Sequence, residues 1–349
     1  MKEVPRGPLV HLPPSIVKFF RLFAHVQMLP ILEAGEETLV GGQAVMEGVM
    51  MRAPHSYCVA VRKASGEVVT EEMPVARPSE KHPILKLPVL RGLGVLGQAM
   101  SLGMKALQFS ANAALDESKG DETKELKEGE APAKKEEVSN WMMGLQIAFS
   151  VGFFIVMYKL LPLKLASMAA DAIPALKGQI AFNAVDGVIR LTIFIVFLFL
   201  LSRTKDIKRV FAYHGAEHKV VFNFESGQPV NIENAQKFVT FHPRCGTSFM
   251  FVIMFISMLV YMVIPVEGFV AKFAIRIALL PVITGASYEL IRFAAKRRGG
   301  FLALMAAPGL WMQRITTKEP SDDQAEVAII ALNGAMALET KQGGELVIA

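Results

Sequence analysis

The sequence predicts an α-helical polytopic membrane protein with a small β-rich unit near its N-terminus. Hydrophobic residues make up 52% of the 349 residues and charged residues only 20%, whereas about 25% charged residues is typical of soluble proteins. Four apolar segments are each close to the roughly 20 residues that a membrane-spanning helix needs. Two β-prone runs around a glycine turn are typical of paired strands. We therefore expect about four transmembrane helices in two hairpins beside a β-rich unit.

The apolar segments pair into two transmembrane hairpins, over 141–201 and 248–292. Their apolar cores are 141–161, 182–201, 248–266 and 270–291. The loop between the hairpins, 202–247, is rich in lysine and arginine, and further basic residues follow the last span. Because basic loops tend to stay in the cytoplasm, both termini and this loop are expected on the cytoplasmic side of a cell membrane.

The remaining segments differ in composition. The N-terminal apolar stretch is interrupted by Lys18 and Arg21, which favours a helix lying in the membrane interface. In the tail, Ser321 and Gln324 have the spacing of a capping box, so a helix is expected to begin there. The expected units are an interfacial amphipathic helix over 1–35, a β-rich soluble unit over 36–80, a membrane-associated or buried helix over 81–115, a disordered charged linker over 116–140 and a cytoplasmic tail over 293–349.

The β-rich unit is predicted from a hairpin and a glycine-rich segment. Residues 59–62 and 67–70 flank Ala-Ser-Gly, which is typical of two strands joined by a turn. The segment 41–52 is predicted to form one further strand that bends at its glycines. The expected role of these glycines is close packing of the backbone. It lacks the Gly-Lys-Ser/Thr ending of a phosphate-binding loop.

The segment 89–109 is apolar but interrupted by polar residues, so it is compatible with a buried, re-entrant or interfacial helix. It contains Gly92-Leu-Gly94-Val-Leu-Gly97, which formally matches a dinucleotide-binding fingerprint. Pro83 and Pro88 disrupt the strand that should precede such a fingerprint, so close helix packing is the favoured role of these glycines.

Net charge and cysteine content limit the partners and the compartment. The formal net charge is +5, and the basic residues cluster in loops near apolar runs, which favours anionic lipid headgroups over nucleic acid as partners. Two cysteines, Cys58 and Cys245, are too few for a disulfide framework and fit a reducing compartment.

The first chemistry-bearing motif is His214-Gly-Ala-Glu217-His218 in the loop between the hairpins. Residues four apart share one face of a helix, so both imidazoles point toward one ion. The order H-x-x-E-H is that of the inverzincins, in which the glutamate takes a proton from a metal-activated water. Glu217 is thus a candidate general base. The alternative is a pair of solvated histidines on an interfacial helix.

The second motif, His242-Pro-Arg-Cys245, adds an imidazole and a thiol at turn spacing. With the first pair it offers four ligands of the types that zinc prefers, while iron and manganese are less favoured. Four protein ligands make a closed structural site and three leave a position for water; both remain open here. Arg244 is a candidate for holding an anionic substrate group or a lipid headgroup. Glu289 is a candidate distant ligand or an ion-pair partner of Arg292.

One charged pair lies inside a predicted span. Asp186 and Arg190 are four residues apart and are expected to pair on one helix face. An ionisable residue within a membrane is otherwise a functional candidate.

Four segments carry a family resemblance: 41–54, 213–219, 242–249 and 308–320. They resemble the YqhQ family, a group of bacterial multi-pass membrane proteins of unknown function that have been described as predicted metal-dependent enzymes. The resemblance covers about residues 39 to 330. It implies a multi-pass membrane fold, and it implies metal binding by His214, His218, His242 and Cys245.

These features favour a membrane-embedded, zinc-dependent hydrolase that acts at the cytoplasmic face. His214 and His218 would bind the metal, His242 or Cys245 would complete the ligand set, and Glu217 would act as general base. A membrane peptide or a lipid-linked group is the expected substrate, because the site is expected at the bilayer surface.

Two alternatives stay open. One is a non-enzymatic scaffold with a closed His3Cys zinc site that binds protein partners through its N-terminal unit. The other is a transporter whose pathway includes Asp186, Arg190 and the segment 89–109; the scarcity of polar groups in the spans argues against it.

Overall fold

The computed structural model describes residues 40–122, 140–242, 245–296 and 300–341. The interfacial helix expected over 1–35, residues 123–139 of the expected linker, and Arg244 lie outside the described residues. The helices of ten residues or more are α1 Leu90–Glu122, α2 Asn140–Ile155, α3 Leu161–Ala172, α4 Gln179–Leu201, α5 Lys205–Glu225, α6 Gly246–Val263, α7 Phe269–Ala278, α8 Leu280–Lys296, α9 Gly300–Thr316 and α10 Asp322–Lys341. Shorter helical segments are Pro78–Lys81, Pro83–Lys86, Val156–Leu160, Pro174–Lys177 and Ile232–Gln236.

Four strands form an antiparallel sheet in the order β1-β2-β3-β4. They are β1 Gly41–Val45, β2 Gly48–Arg52, β3 Ser56–Arg62 and β4 Val68–Pro74. The predicted hairpin is confirmed, since β3 pairs with β4. The prediction of one strand over 41–52 is wrong, because Glu47 at φ 51° reverses the chain and makes a hairpin of β1 and β2. A non-glycine residue with positive φ is uncommon, so this turn has no clear sequence signal.

Helices cover both faces of the sheet. On one face, α5 and α10 pack against Val49, Met51, Cys58 and Ala60. On the other face, α1 packs against Val45, Met50, Val59 and Val61. The central strands are therefore buried on both sides, which explains their nearly continuous apolar runs. Full burial of each valine or methionine side chain among them contributes about 1.5–3 kcal/mol to folding.

The C-terminal tail belongs to the same core as the N-terminal sheet. Helix α10 begins with the predicted capping box: the Ser321 amide donates to Gln324 Oε1 at 3.0 Å, and the Gln324 amide donates to Ser321 Oγ at 3.4 Å. Val327, Ala331 and Leu332 of α10 are buried in the sheet core. The β-rich unit thus shares its core with a helix that begins about 250 residues later along the chain.

Three helical segments are long and apolar enough to cross a membrane: Gly144–Ala172, Gln179–Leu201 and Gly246–Val263. The first runs from α2 through the π-helical Val156–Leu160 into α3. A fourth span is counted if α7 and α8, which meet at a bend of 49°, act as one. The sequence predicted this segment as one uninterrupted span. Pro281, at the start of α8, lacks the amide hydrogen that a continuous helix requires, which accounts for the break.

Helix α1 connects the sheet to the spans. The Cβ of an alanine at Gly92 would lie 2.7 Å from Cβ of Tyr288, so this glycine permits close packing of α1 on α8, as predicted. The fingerprint glycines lie within a helix, and no strand leads directly into them in this part of the described chain. The helix continues to Glu122, past residue 115, where the sequence predicted the linker to begin.

Candidate metal centre

The sheet fixes the position of α5, which carries the first motif. The Glu47 carboxylate, in the turn between β1 and β2, accepts two hydrogen bonds of 2.5 Å from Arg209 and one of 3.3 Å from the Tyr213 hydroxyl. Burial, together with the nearby Glu47 carboxylate, raises the pKa of Tyr213 to about 12, so the hydroxyl remains a donor. The glycine-rich segment therefore anchors the helical turn that precedes His214.

The rings of His214 and His218 lie on one face of α5, with centroids 4.4 Å apart. Nδ1 of His214 lies 2.8 Å from the Thr316 carbonyl oxygen, and Nδ1 of His218 lies 2.5 Å from the Thr240 carbonyl oxygen. A carbonyl oxygen only accepts, so Nδ1 carries the proton and, in the neutral ring, Nε2 keeps its lone pair. Metal-binding histidines are commonly oriented by such a bond from the second ring nitrogen. Both Nε2 atoms are therefore pre-oriented as ligand atoms.

Cys245 brings a sulfur atom to the same place. It is the residue immediately before α6, and its Sγ lies 3.3 Å from Nε2 of His214 and 3.1 Å from Oγ1 of Thr247. Ligand atoms of His214, His218 and Cys245 all lie within 4.8 Å of one another. Tetrahedral zinc with bonds of about 2.0–2.3 Å separates its ligand atoms by about 3.3–3.8 Å. These three side chains, called the metal group below, could therefore hold one metal ion after small adjustments.

Glu217 lies beside the metal group. Its Oε2 is 3.5 Å from Nε2 of His218 and 4.0 Å from Nε2 of His214, and the side chain is buried. Gly42 of β1 leaves room for it, since a Cβ at that position would lie 2.6 Å from Cγ of Glu217. The carboxylate is thus on the same side as the histidine lone pairs. It can meet a water molecule on a bound ion, or it can approach the ion itself.

His242 lies next to the metal group and is not one of its three members in the described part of the chain. Its ring centroid is 5.5 Å from that of His218 and 4.6 Å from that of Phe222. Nε2 of His242 lies 3.7 Å from Oε2 of Glu225. Burial lowers the pKa of His242 to about 4, which keeps the ring neutral. Of His242 and Cys245, which the sequence offered as alternatives for completing the ligand set, Cys245 is the one that lies within the metal group.

Glu289 holds α1 against α8. Its carboxylate accepts two hydrogen bonds from Arg91, one of them at 2.6 Å from Nε, and a third at 3.3 Å from the Val89 amide. From the sequence, Glu289 was a candidate for a distant metal ligand or for an ion-pair partner of Arg292. Its hydrogen-bond partners are Arg91 in the first turn of α1 and Val89, the residue before that helix, and Arg292 adds a weaker charge interaction. It is not a member of the metal group among the described residues.

Several supporting residues were missed by sequence reasoning. Gln313 of α9 accepts from the His242 amide at 2.7 Å and donates to the His242 carbonyl at 2.7 Å. Gly215 lies directly against the Lys318 carbonyl, so any side chain there would clash with main-chain atoms. One sequence signal pointed to the region of Gln313: it lies in the segment 308–320, which is part of the family resemblance. That segment contains no recognisable pattern of metal ligands. All four resemblance segments contribute to this centre or to its support.

Comparison with known proteins places the chain in a family. Residues 87–338 match the family described as "Protein of unknown function (DUF1385)". The chain is 36% identical over 301 residues to "Uncharacterized protein YqhQ" of Bacillus subtilis (strain 168), an alignment that covers 86% of this chain and 92% of that protein. No solved structure matches the chain. Because the family match covers residues 87–338, more than half of the chain, the chain belongs to the DUF1385 family.

Proposed function

We propose that this protein is a metal-dependent hydrolase, with zinc as the favoured ion, that acts at the cytoplasmic face of the bacterial inner membrane. The observation that carries the proposal is the convergence of two oriented imidazoles and a thiol with the Glu217 carboxylate beside them. Imidazole and thiolate are the ligand types that zinc prefers, and iron is the main competitor.

The residues supply distinct roles. His214, His218 and Cys245 would hold the ion, and a set of three protein ligands would leave room for a water. A bound zinc ion supplies a water whose pKa is lowered to about 7. Glu217, with Oε2 within 4.0 Å of both Nε2 atoms, would accept a proton from a water beside the metal group and would return it to the leaving group. The bonds from Nδ1 to Thr316 and Thr240 keep the imidazoles from rotating away.

The position of the metal group next to two apolar helices supports a membrane-bound substrate. Cys245 directly precedes the apolar helix α6, and α5 begins four residues after the apolar helix α4 ends. The basic loop 202–247 favours the cytoplasmic side for this junction. A peptide bond or an ester of a lipid-linked group that emerges from the bilayer would meet the metal group there.

A non-enzymatic scaffold is the second candidate, and one observation favours it. Oε2 of Glu217 lies near enough to both histidine nitrogens to become a fourth ligand after a small movement. The site would then be closed, with a His2CysGlu ligand set, and would tie α5 to α6 as a structural element.

Cobalt substitution separates the two candidates. The full-length protein in detergent is loaded with Co²⁺, and its visible spectrum is recorded with and without acetohydroxamic acid. An open site changes its spectrum when the probe binds. In the hydrolase, Glu217→Gln retains cobalt with the same affinity; in the closed site, Glu217→Gln weakens cobalt binding and the probe has no effect.

Isotope incorporation tests hydrolysis without a known substrate. Membranes from cells lacking the protein are incubated in ¹⁸O-water with zinc-loaded wild type, Glu217→Gln or Glu233→Gln, and products are analysed by mass spectrometry. Glu233 is an exposed carboxylate that pairs with Lys237 and serves as the control. We expect ¹⁸O-labelled products with wild type and with Glu233→Gln, and none with Glu217→Gln. Equal labelling in all three samples would refute the assignment of Glu217 as general base.

A further inference from the structure

A cluster of charged side chains is buried among the membrane-spanning helices. Asp186 accepts hydrogen bonds from Arg190 on its own helix α4 and, at 2.5 Å, from Arg276 of α7. Lys159, in the π-helical stretch, donates to the Tyr261 hydroxyl at 3.3 Å. The charged ends of Lys159, Arg190 and Arg276 lie 5.1–5.6 Å from the centre of the Tyr261 ring. These three cations around Asp186 are called the bundle cation cluster below.

The charges of this cluster do not balance. Asp186, Arg190 and Arg276 are 1–2% exposed and Lys159 is 8% exposed. Within the described parts of the spans, Asp186 is the one buried carboxylate; Asp171 and Glu267 are exposed, and Glu289 is bound to Arg91. The charges of Arg190 and Arg276 exceed that of Asp186 by one, and protonation of Lys159 raises the excess to two. Burying uncompensated charge is costly, and more so at membrane depth.

Hydrogen-bond donors are also left over. Nη1 of Arg190 donates to Ser257 Oγ at 2.7 Å, while Nε of Arg190 is buried with no hydrogen-bond partner. The Tyr158 hydroxyl, on the residue before Lys159, is likewise buried without one. Arginine commonly donates hydrogen bonds from Nε and from one Nη atom to the same carboxylate or phosphate. The free Nε of Arg190 therefore points to a missing anionic partner.

We propose that the bundle cation cluster binds a phosphate group with two negative charges. A phosphomonoester or inorganic phosphate carries about −1.5 to −2 charges near neutral pH, which matches the excess of two positive charges. Guanidinium groups and an ammonium group are the side chains that recognise it. Asp186 sets the spacing of the two guanidinium groups. Nη2 of Arg276 donates to Asn183 Oδ1 at 2.9 Å, so the donor left for the ligand is Nε of Arg190.

The site is separate from the metal group. Asp186 lies seven residues from the start of α4, roughly 10 Å along the helix, whereas the metal group follows the other end of that helix. The phosphate would come from the side of the bundle where α4 begins, either free in solution or as the headgroup of a phosphatidic-acid-like lipid. The proposal stands whether or not the metal group catalyses hydrolysis.

Native mass spectrometry of the full-length protein in nanodiscs tests the proposal and identifies the source. Nanodiscs of phosphatidylcholine are compared with nanodiscs that also contain phosphatidic acid or phosphatidylglycerol, and inorganic phosphate is titrated into each. Preferential retention of phosphatidic acid assigns a lipid headgroup. Binding of inorganic phosphate in phosphatidylcholine nanodiscs assigns free phosphate. If neither binds above the phosphatidylcholine background, the proposal is wrong.

Lysine variants test the location of the site. Lys159→Gln should weaken phosphate or phosphatidic acid binding by about ten- to a hundredfold, because it removes a charge-assisted hydrogen bond, and Lys159→Arg should retain binding. Lys164→Gln is the matched control, since Lys164 is an exposed lysine of the same span. Thermal unfolding of each variant verifies folding. Equal affinities for Lys159→Gln and Lys164→Gln would place the ligand elsewhere and overturn the assignment.

Discussion

The metal group and the bundle cation cluster satisfy their polar atoms in opposite ways. In the metal group, His214 and His218 are held by main-chain carbonyls of other segments, so their ligand atoms keep free lone pairs. In the bundle cation cluster, side chains of opposite charge hold one another, and positive charge is left in excess. The first arrangement is prepared for a cation and the second for an anion. The two regions should therefore respond differently when one member is removed.

The largest expected effect lies in the bundle cation cluster. Asp186→Asn removes the carboxylate that two buried guanidinium groups share, which should lower the free energy of unfolding by about 3–5 kcal/mol. Glu233→Gln breaks an exposed pair with the same i,i+4 spacing and should leave stability unchanged. Unfolding in SDS mixed micelles measures both variants. If Asp186→Asn is as stable as wild type, the carboxylate does not hold the cluster together.

The next effect is on metal affinity, and the two cysteines provide the comparison. Cys245→Ala should weaken zinc binding about a hundredfold, because structural zinc binding of about 10–16 kcal/mol is shared among its ligands. Cys58 lies in the sheet core, where burial raises its thiol pKa to about 12, so Cys58→Ala should not change zinc affinity. Competition with a chromophoric chelator measures both. Equal zinc affinity in the two variants would contradict the metal group.

The two regions also differ in how well the sequence predicts them. The His214–His218 pair was predictable because residues four apart share a helix face, and Cys245 was predictable as one of two nearby ligands. Which of His242 and Cys245 lies closer to that pair was not predictable, because their positions depend on contacts with distant segments, such as the hydrogen bonds of Gln313 to the His242 main chain. The ion pair of Asp186 and Arg190 was predicted from their spacing of four residues and is confirmed.

Interactions between distant segments account for what the sequence left undetermined. Arg276 joins Asp186 from 90 residues away, and no motif spacing links the two. The apolar spans were predictable because a run of about 20 apolar residues is recognisable in the sequence. The bend at Pro281 was overlooked because it lies inside such a run. The hairpin of β1 and β2 was missed because its turn at Glu47 uses a non-glycine residue with positive φ. Local pattern thus predicts elements, while tertiary contacts decide which residues meet.

Two adjacent glycines of β1 test how the sheet supports the metal group, with the smallest expected effect. A Cβ at Gly42 would lie 2.6 Å from Glu217 Cγ and 2.8 Å from the Met50 carbonyl oxygen, whereas a Cβ at Gly41 would meet nothing within 4 Å. Because the Met50 main chain cannot move freely, Gly42→Ala should displace Glu217 and cost about 1–3 kcal/mol. Gly41→Ala should change stability by less than about 0.5 kcal/mol.

Thermal unfolding measures the loss of stability in these glycine variants, and the spectrum of the cobalt-loaded protein measures the displacement of Glu217. Gly42→Ala should lower the Tm and shift the pH at which the cobalt spectrum changes, since a displaced Glu217 no longer faces the ion. Gly41→Ala should match wild type in both measurements. A Gly42→Ala variant with a lower Tm and an unchanged spectrum would mean that the sheet supports the fold without positioning the carboxylate. The glycine-rich segment would then serve packing alone, and its link to the metal group would be lost.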